Sequence, residues 1–292
     1  MFAIRYWLTI TNDVEALPVL ITIKVLTTFL TVVLLATSAR KLGPSWAGVL
    51  AGFPLGGAIT LYFIGYEIGP EFAAKGATQA LIGLLGCLML AIMYLIVSQR
   101  WPSSKSIYRP ITFSVIAFFV TAFFLQNWDG PWWLNLGVIF ASILLAHHGL
   151  GRIEDHEVAL NPENIWHRPI PSVLFRAATA SASVLGITTL AHWLEPTQAG
   201  LLAAFPVSFF PVLIVLHLSY GAPVVATTIR QYPAGLGAMV VYILAVSFSY
   251  PIWGLNQGTA MALAASMLYL TIYVFFVKTI KQRLSGKPHE TV

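Results

Sequence analysis

Charge is what this sequence has least of. Asp, Glu, Lys and Arg make up 9% of its 292 residues, against about 25% in an ordinary soluble domain. A soluble fold of this length needs a polar shell, and so few charges cannot build one. Cysteine occurs once, at Cys87 inside an apolar run, so no intrachain disulfide can form and a thiolate metal site is short of ligands. Catalytic signatures are missing as well: there is no HExxH zinc motif, no GxSxG elbow and no P-loop. The reading is of a non-enzyme without cofactor or metal. Residues 1–17 carry Arg5, Asp13 and Glu15 and lack the apolar core of a cleavable signal, which leaves the first apolar run to act as the insertion signal. The net charge of +5 comes without a basic stripe of interleaved aromatics, so nucleic acid is not the expected partner. No Asp or Glu falls inside an apolar run. Each maps to a loop or a span end, which argues against a simple carboxylate proton relay.

Apolar residues, in contrast, make up 58% of the chain. Runs of roughly 20 residues recur, each long enough to cross a hydrocarbon core about 30 Å thick. They read as spans at 18–37, 46–65, 77–98, 110–126, 132–147, 170–190, 198–218, 233–250 and 258–277. The fourth and fifth are joined by Asn127-Trp128-Asp129-Gly130-Pro131, a strong turn signal, with Trp128, Trp132 and Trp133 placed as an interfacial cluster. With nine spans, Arg40, Lys41, Arg100, Arg109, Arg152, Arg168, Arg230 and the C-terminal cations fall on one side, while only Arg5 and Lys75 fall on the other. The positive-inside rule then puts the N-terminus outside and the C-terminus in the cytoplasm. The expected fold is all-α and polytopic, with about nine transmembrane helices. A first unit at 1–147, a cytoplasmic polar linker at 148–169 and a second unit at 170–292 make up the chain. The linker holds His148, Glu154, Asp155, His156, Glu157 and His167 without a fixed metal-ligand spacing, so a solvated loop is favoured over a regulatory metal site.

Self-similarity is the most informative feature, at a constant offset of 152 residues. The segment Pro44-Ser45-Trp46-Ala47-Gly48-Val49-Leu50-Ala51-Gly52-Phe53-Pro54 aligns with Pro196-Thr197-Gln198-Ala199-Gly200-Leu201-Leu202-Ala203-Ala204-Phe205-Pro206. Without a gap, Gly69 falls on Gly221, Gln79 on Gln231, Gly83 on Gly235, and Lys24 on Arg176. A shift of five spans is odd, so equivalent helices should cross in opposite directions. Such inverted repeats characterise many secondary transporters. Each half also resembles the small GlpM-type bacterial membrane proteins, through Ala47-Gly48-Val49…Phe53-Pro54 and Ala199-Gly200-Leu201…Phe205-Pro206 and the basic residue of the first span. The resemblance covers about residues 20–98 and 172–278. It implies a bacterial inner-membrane protein and an association with envelope polysaccharide (alginate) production. The present chain is a double-length fusion with one extra span.

Pro54 and Pro206 sit well inside their spans, where proline removes a backbone donor and frees carbonyls that lipid cannot satisfy. Broken helices at corresponding places in two halves point to a transporter's binding site. A packing kink beside small residues is the competing reading. Phe53 and Phe205 precede the two prolines. Lys24 and Arg176 lie about six residues into their spans, where snorkelling to the interface competes with facing a central cavity and attracting an anion. Gln79 and Gln231 open their spans as caps or ligand contacts, Glu67, Glu71 and Lys75 read as solvated loop charges, and His217 reads as an interface residue. Two functions follow. The first is a transporter of a small polar, anionic solute through a site formed by Lys24, Arg176, Pro54, Pro206, Phe53, Phe205, Gln79 and Gln231. The second is a non-transporting accessory subunit, acting as a homo-oligomer or within an envelope complex. A channel ranks lowest, since no span shows a polar stripe.

Overall fold

The computed structural model describes residues 16–42, 54–103, 106–151, 166 and 168–285, and every regular element among them is helical. In chain order these are α1 (Ala16–Leu42), α2 (Leu55–Glu67), α3 (Pro70–Arg100), α4 (Tyr108–Leu125), α5 (Trp132–Leu150), α6 (Pro169–Ala191), α7 (Pro196–Ala203), α8 (Phe209–Tyr220) and α9 (Ala222–Ser285). Five helices are long and apolar enough to cross a membrane, namely α3, α4, α5, α6 and α9, and Pro18–Leu34 and Phe209–Tyr220 form shorter apolar helices. The expected run at 46–65 is described only from Pro54 onward.

α9 is not one rod. Gly254 holds φ 69° and ψ −174° inside it, a backbone region that only glycine occupies without strain. On either side of it, Ser249 Oγ donates to the Gly258 carbonyl at 3.1 Å and the Tyr250 hydroxyl meets Thr259 Oγ1 at 2.8 Å. Nine residues of straight helix would hold those partners about 13 Å apart. The chain therefore folds back at Gly254, and Gly237 lies against the Tyr269 hydroxyl farther along the same pair. The two arms, 222–253 and 255–285, run antiparallel.

α3 occupies the centre. Ala73, Ala77, Ala80, Leu81, Leu84, Leu90 and Tyr94 on it are fully buried. α4, α5, α7 and the first arm of α9 pack around it. Small residues permit the closest approach: Gly200 of α7 rests on the backbone of Gly76, and a side chain there would run into the Gly76 carbonyl. Lipid tails are as apolar as leucine, so close van der Waals packing of this kind, rather than release from water, holds helices together in a bilayer. α4 and α5 are peripheral. Their turn is fastened where Trp128 Nε1 donates to Asn135 Oδ1 at 2.7 Å, while Asn135 Nδ2 donates to the Thr78 carbonyl at 3.3 Å. Phe123, Phe124, Phe140 and Leu145 are mostly exposed on these helices. An apolar surface of that extent calls for a non-aqueous neighbour, and a bilayer around the helices supplies it. The chain is a membrane-embedded helical protein.

Two local backbone features recur at the 152-residue offset. Gly69 (φ 133°) and Gly221 (φ 80°) are equivalent by that offset. Each makes the joint between a short helix and a long one, α2 to α3 and α8 to α9. The Pro54 carbonyl accepts from Ala58 N–H at 2.7 Å, and the Pro206 carbonyl accepts from the equivalent Phe210 N–H at 2.9 Å.

Candidate functional site

Proline explains how the second copy of the repeated segment is broken. Pro206 has no N–H to give to Leu202, which removes a helix bond, and here the helix breaks. α7 ends at Ala203, the Leu202 carbonyl is taken by Phe205 N–H at 2.9 Å, and Val207 N–H turns back onto the Phe205 carbonyl at 2.7 Å. α8 then starts at Phe209. In the first copy Pro54 caps α2, and Phe53 lies outside the described residues. Neither α2 nor α8 has a side-chain cap or an acidic residue in its first turn. Their first N–H groups are therefore left to one another's surroundings or to a ligand.

The two starts meet. Pro54, Gly56, Gly57, Phe205, Pro206, Ser208 and Phe209 line one cavity of about 40 Å³, closed by Leu84, Cys87, Tyr232, Gly235 and Met239. That volume is of the order of one water molecule's share of the liquid. Its polar fittings are few. Cys87 Sγ donates to the Ala204 carbonyl at 2.8 Å, Ser208 contributes a hydroxyl, and Tyr232 stacks on Phe209 with ring centres 3.8 Å apart. A methyl group on Gly56 would come within 2.8 Å of Ser208 Oγ. Positions 56 and 208 are equivalent by the sequence offset.

The cations expected at this site are elsewhere. Lys24 is buried, but its ammonium lies 2.6 Å from Glu67 Oε1 and donates to Thr188 Oγ1 at 2.9 Å. Glu67 Oε2 in turn meets His192 Nε2 at 2.9 Å. Lys24 therefore neither snorkels nor faces the cavity, and Glu67 is not a solvated loop charge. The helix end that carries Glu67 is tucked beneath α1 and α6. Arg176 is half-buried and does not line the cavity. Gln79 is buried in α3 without a partner for Oε1, Gln231 is exposed on α9, and neither lines the cavity. His217 is fully buried rather than interfacial, with Nδ1 3.3 Å from the Tyr94 hydroxyl. Among the described residues no group of three His, Cys, Asp or Glu is placed to hold a metal. Glu154, Asp155, His156, Glu157 and His167 of the polar linker lie outside the described residues.

Sequence reasoning missed Glu67, His192 and Thr188. One signal was available: a buried lysine needs a carboxylate, and Lys24 starts its span at the same membrane face where the second span ends at Glu67. Cys87, Tyr232 and Met239 carried no signal, since an apolar helix does not announce which of its faces meets another break. No protein-family model, curated protein or solved structure matches the chain.

Proposed function

We propose that this chain is a secondary-transporter-like protein of the bacterial inner membrane, non-enzymatic, with about nine spans in two inverted repeats. It moves a small polar, anionic solute through the cavity between the breaks at Pro54 and Pro206. The observation that carries the reading is the convergence of two uncapped helix starts, from equivalent places in the two halves, on one cavity. Helix N-termini present free N–H groups and a partial positive charge, which suits an anion even where no basic side chain is at hand. Gly56 and Gly57 leave the backbone bare for such an approach.

Inversion is supported by α1 and α6, which are equivalents that pack together. Lys24 meets Thr188, twelve residues beyond its own equivalent Arg176, a distance of about 18 Å along a helix. Val25 accepts from Ser181 at 3.3 Å, so a step forward on α1 goes with a step back on α6. Antiparallel equivalents about a central axis are what a two-fold axis in the membrane plane produces.

The cavity's small size and uncharged lining favour a second reading, a non-transporting accessory subunit of envelope polysaccharide biosynthesis. It agrees with the GlpM-like resemblance of the two halves. Flux of small anions into proteoliposomes, with a thermal-stability screen of the same anions, decides between them. Transport lost on Ser208→Leu, in a variant that still folds, supports the first reading. A stable protein that carries and binds none of the anions, and that co-purifies with a partner complex, favours the second.

A further inference from the structure

Between α1, α2 and the second arm of α9 lies a groove of about 550 Å³, far larger than the central cavity and within the range of small-molecule sites. Leu20, Ile23, Thr27 and Thr31 of α1 form one wall, α2 forms the floor from Leu55 to Tyr66, and Thr259 and Leu263 form the other wall. None of these lining residues is charged. Thr31 Oγ1 donates to the Thr27 carbonyl and Thr259 Oγ1 to the Leu255 carbonyl, both at 2.7 Å. Hydroxyls engaged within their own helix add little polarity to the walls. An ordered water needs about two to four polar partners, more than this lining offers along most of its length.

Polarity gathers at one end. There the Tyr62 hydroxyl donates to Asn256 Oδ1 at 2.9 Å, with Tyr66, Trp253 and Gln257 exposed on the adjoining turns. Tyrosine and tryptophan collect at the headgroup level of a bilayer, where a ring can be half apolar and half wet. The opposite end is set by Leu55, which adjoins Pro54 and Gly56 of the central cavity. From Leu20 to Thr31 on α1, and from Leu55 to Tyr66 on α2, the lining runs about 16 Å, half of a hydrocarbon core about 30 Å thick. The groove is one leaflet deep. It is also continuous with the lipid-facing surface: Ile23 of its wall is exposed, and Leu26, Leu30 and Leu34 carry that exposed apolar surface along α1. Its floor is recessed, since Ala58, Ile59 and Phe63 are buried.

We propose that this groove binds one acyl chain of a membrane phospholipid. The ester end lies by Tyr62, Tyr66 and Asn256, and the chain end lies against Leu55, Ile59 and Thr31. An apolar channel with hydrogen-bonding groups at one end suits an amphiphile, and its depth suits a chain that enters sideways from one leaflet. Leu55 and Ala58 line the groove while Gly56 and Gly57 line the central cavity. A bound chain therefore braces the turn of α2 that forms part of the cavity wall.

Photo-labelling of the full-length protein in vesicles of phosphatidylethanolamine and phosphatidylglycerol tests the site. The probes are two phosphatidylcholines present in trace, one with a diazirine near the end of an acyl chain and one with it near the ester, and adducts are mapped by mass spectrometry. The chain-end probe should label Leu55 and Ile59, and the ester-end probe should label Tyr62 and Tyr66. In Thr27→Trp the indole occupies the chain's place, and labelling at Leu55 and Ile59 should fall by about tenfold, as overfilling a packed site does. Phe123 and Phe124, exposed on α4, should be labelled equally in both proteins. Should Thr27→Trp not fold, Leu263→Trp fills the same space from the opposite wall and decides in its stead. Absence of adducts at Leu55 and Ile59 while α4 is labelled overturns the proposal, as does equal labelling in the tryptophan variant. Cross-links to a second copy at those positions in place of lipid adducts overturn it too. The labelling needs no transported solute, so its outcome and that of the transporter reading are independent.

Discussion

Removing one partner of the Lys24–Glu67 pair should cost far more than removing both. The two charges are 2.6 Å apart and almost wholly out of solvent. At a separation of about 4 Å and an effective dielectric constant near 20, opposite charges attract by about 4 kcal/mol. Deleting one of them forfeits that attraction and leaves the other buried and uncompensated, which typically costs 3–5 kcal/mol. Here the survivor keeps a hydrogen-bonding neighbour, Thr188 for Lys24 or His192 for Glu67, so each single variant, Lys24→Met or Glu67→Leu, is expected at about 3 kcal/mol, the lower end of that range. The double variant replaces both ions by side chains of similar volume and should lie within about 1 kcal/mol of wild type. Reversible unfolding in mixed micelles, followed by tryptophan fluorescence, gives all four corners of the cycle. Single variants that each cost under about 1 kcal/mol, or a double variant whose loss equals the sum of the two, would refute the buried-pair argument.

Other consequences can be checked separately. Gly200→Val places a branched side chain against the Gly76 carbonyl and should destabilise by about 3 kcal/mol or more, beyond ordinary overpacking, read as a lowered melting temperature. At Gly137, where a Cβ meets nothing, the same change should be nearly neutral. Gly221→Ala forces alanine into φ 80°, ψ −175° and should cost about 1–3 kcal/mol, with Gly69→Ala behaving alike. In a Cys87→Ser background, single cysteines at the equivalent positions Lys75 and Thr227 should react with impermeant thiol reagents from opposite membrane faces. Reaction of both from the same face would rule out inversion.

Much of the fold was legible because membranes impose coarse rules. Apolar length and interruptions by Pro, Gly and Trp located the helices now seen as α3 to α6, the break at Pro206 and the interval around Gly254. Helix ends were read less well: α3 begins at Pro70 rather than near 77 and α1 continues to Leu42. Hydropathy senses the depth of a residue in lipid, whereas a helix ends where its hydrogen bonds do. The site was half legible. Pro54, Pro206 and Phe205 stood out because the repeated segment carries Phe-Pro at the same place in each copy, and all three line the cavity. Glu67 was read as a loop charge because it closes its helix, and its burial arises from α1 and α6, far away in sequence. Gln79 and Gln231 share a sequence register but not an environment, one buried and the other exposed.

The central claim, a cavity between two halves that opens to either side, can be tested on the natural chain. Cys87 is the sole cysteine, lines the cavity and is 1% exposed. Its labelling by a small, anionic, membrane-impermeant thiol reagent should be measured in right-side-out and inside-out vesicles. The account predicts slow modification from both faces, faster than with a cationic reagent of equal size and suppressed by any solute that stabilises the protein. Modification from neither face, in protein whose Cys87 reacts promptly once unfolded, would contradict it.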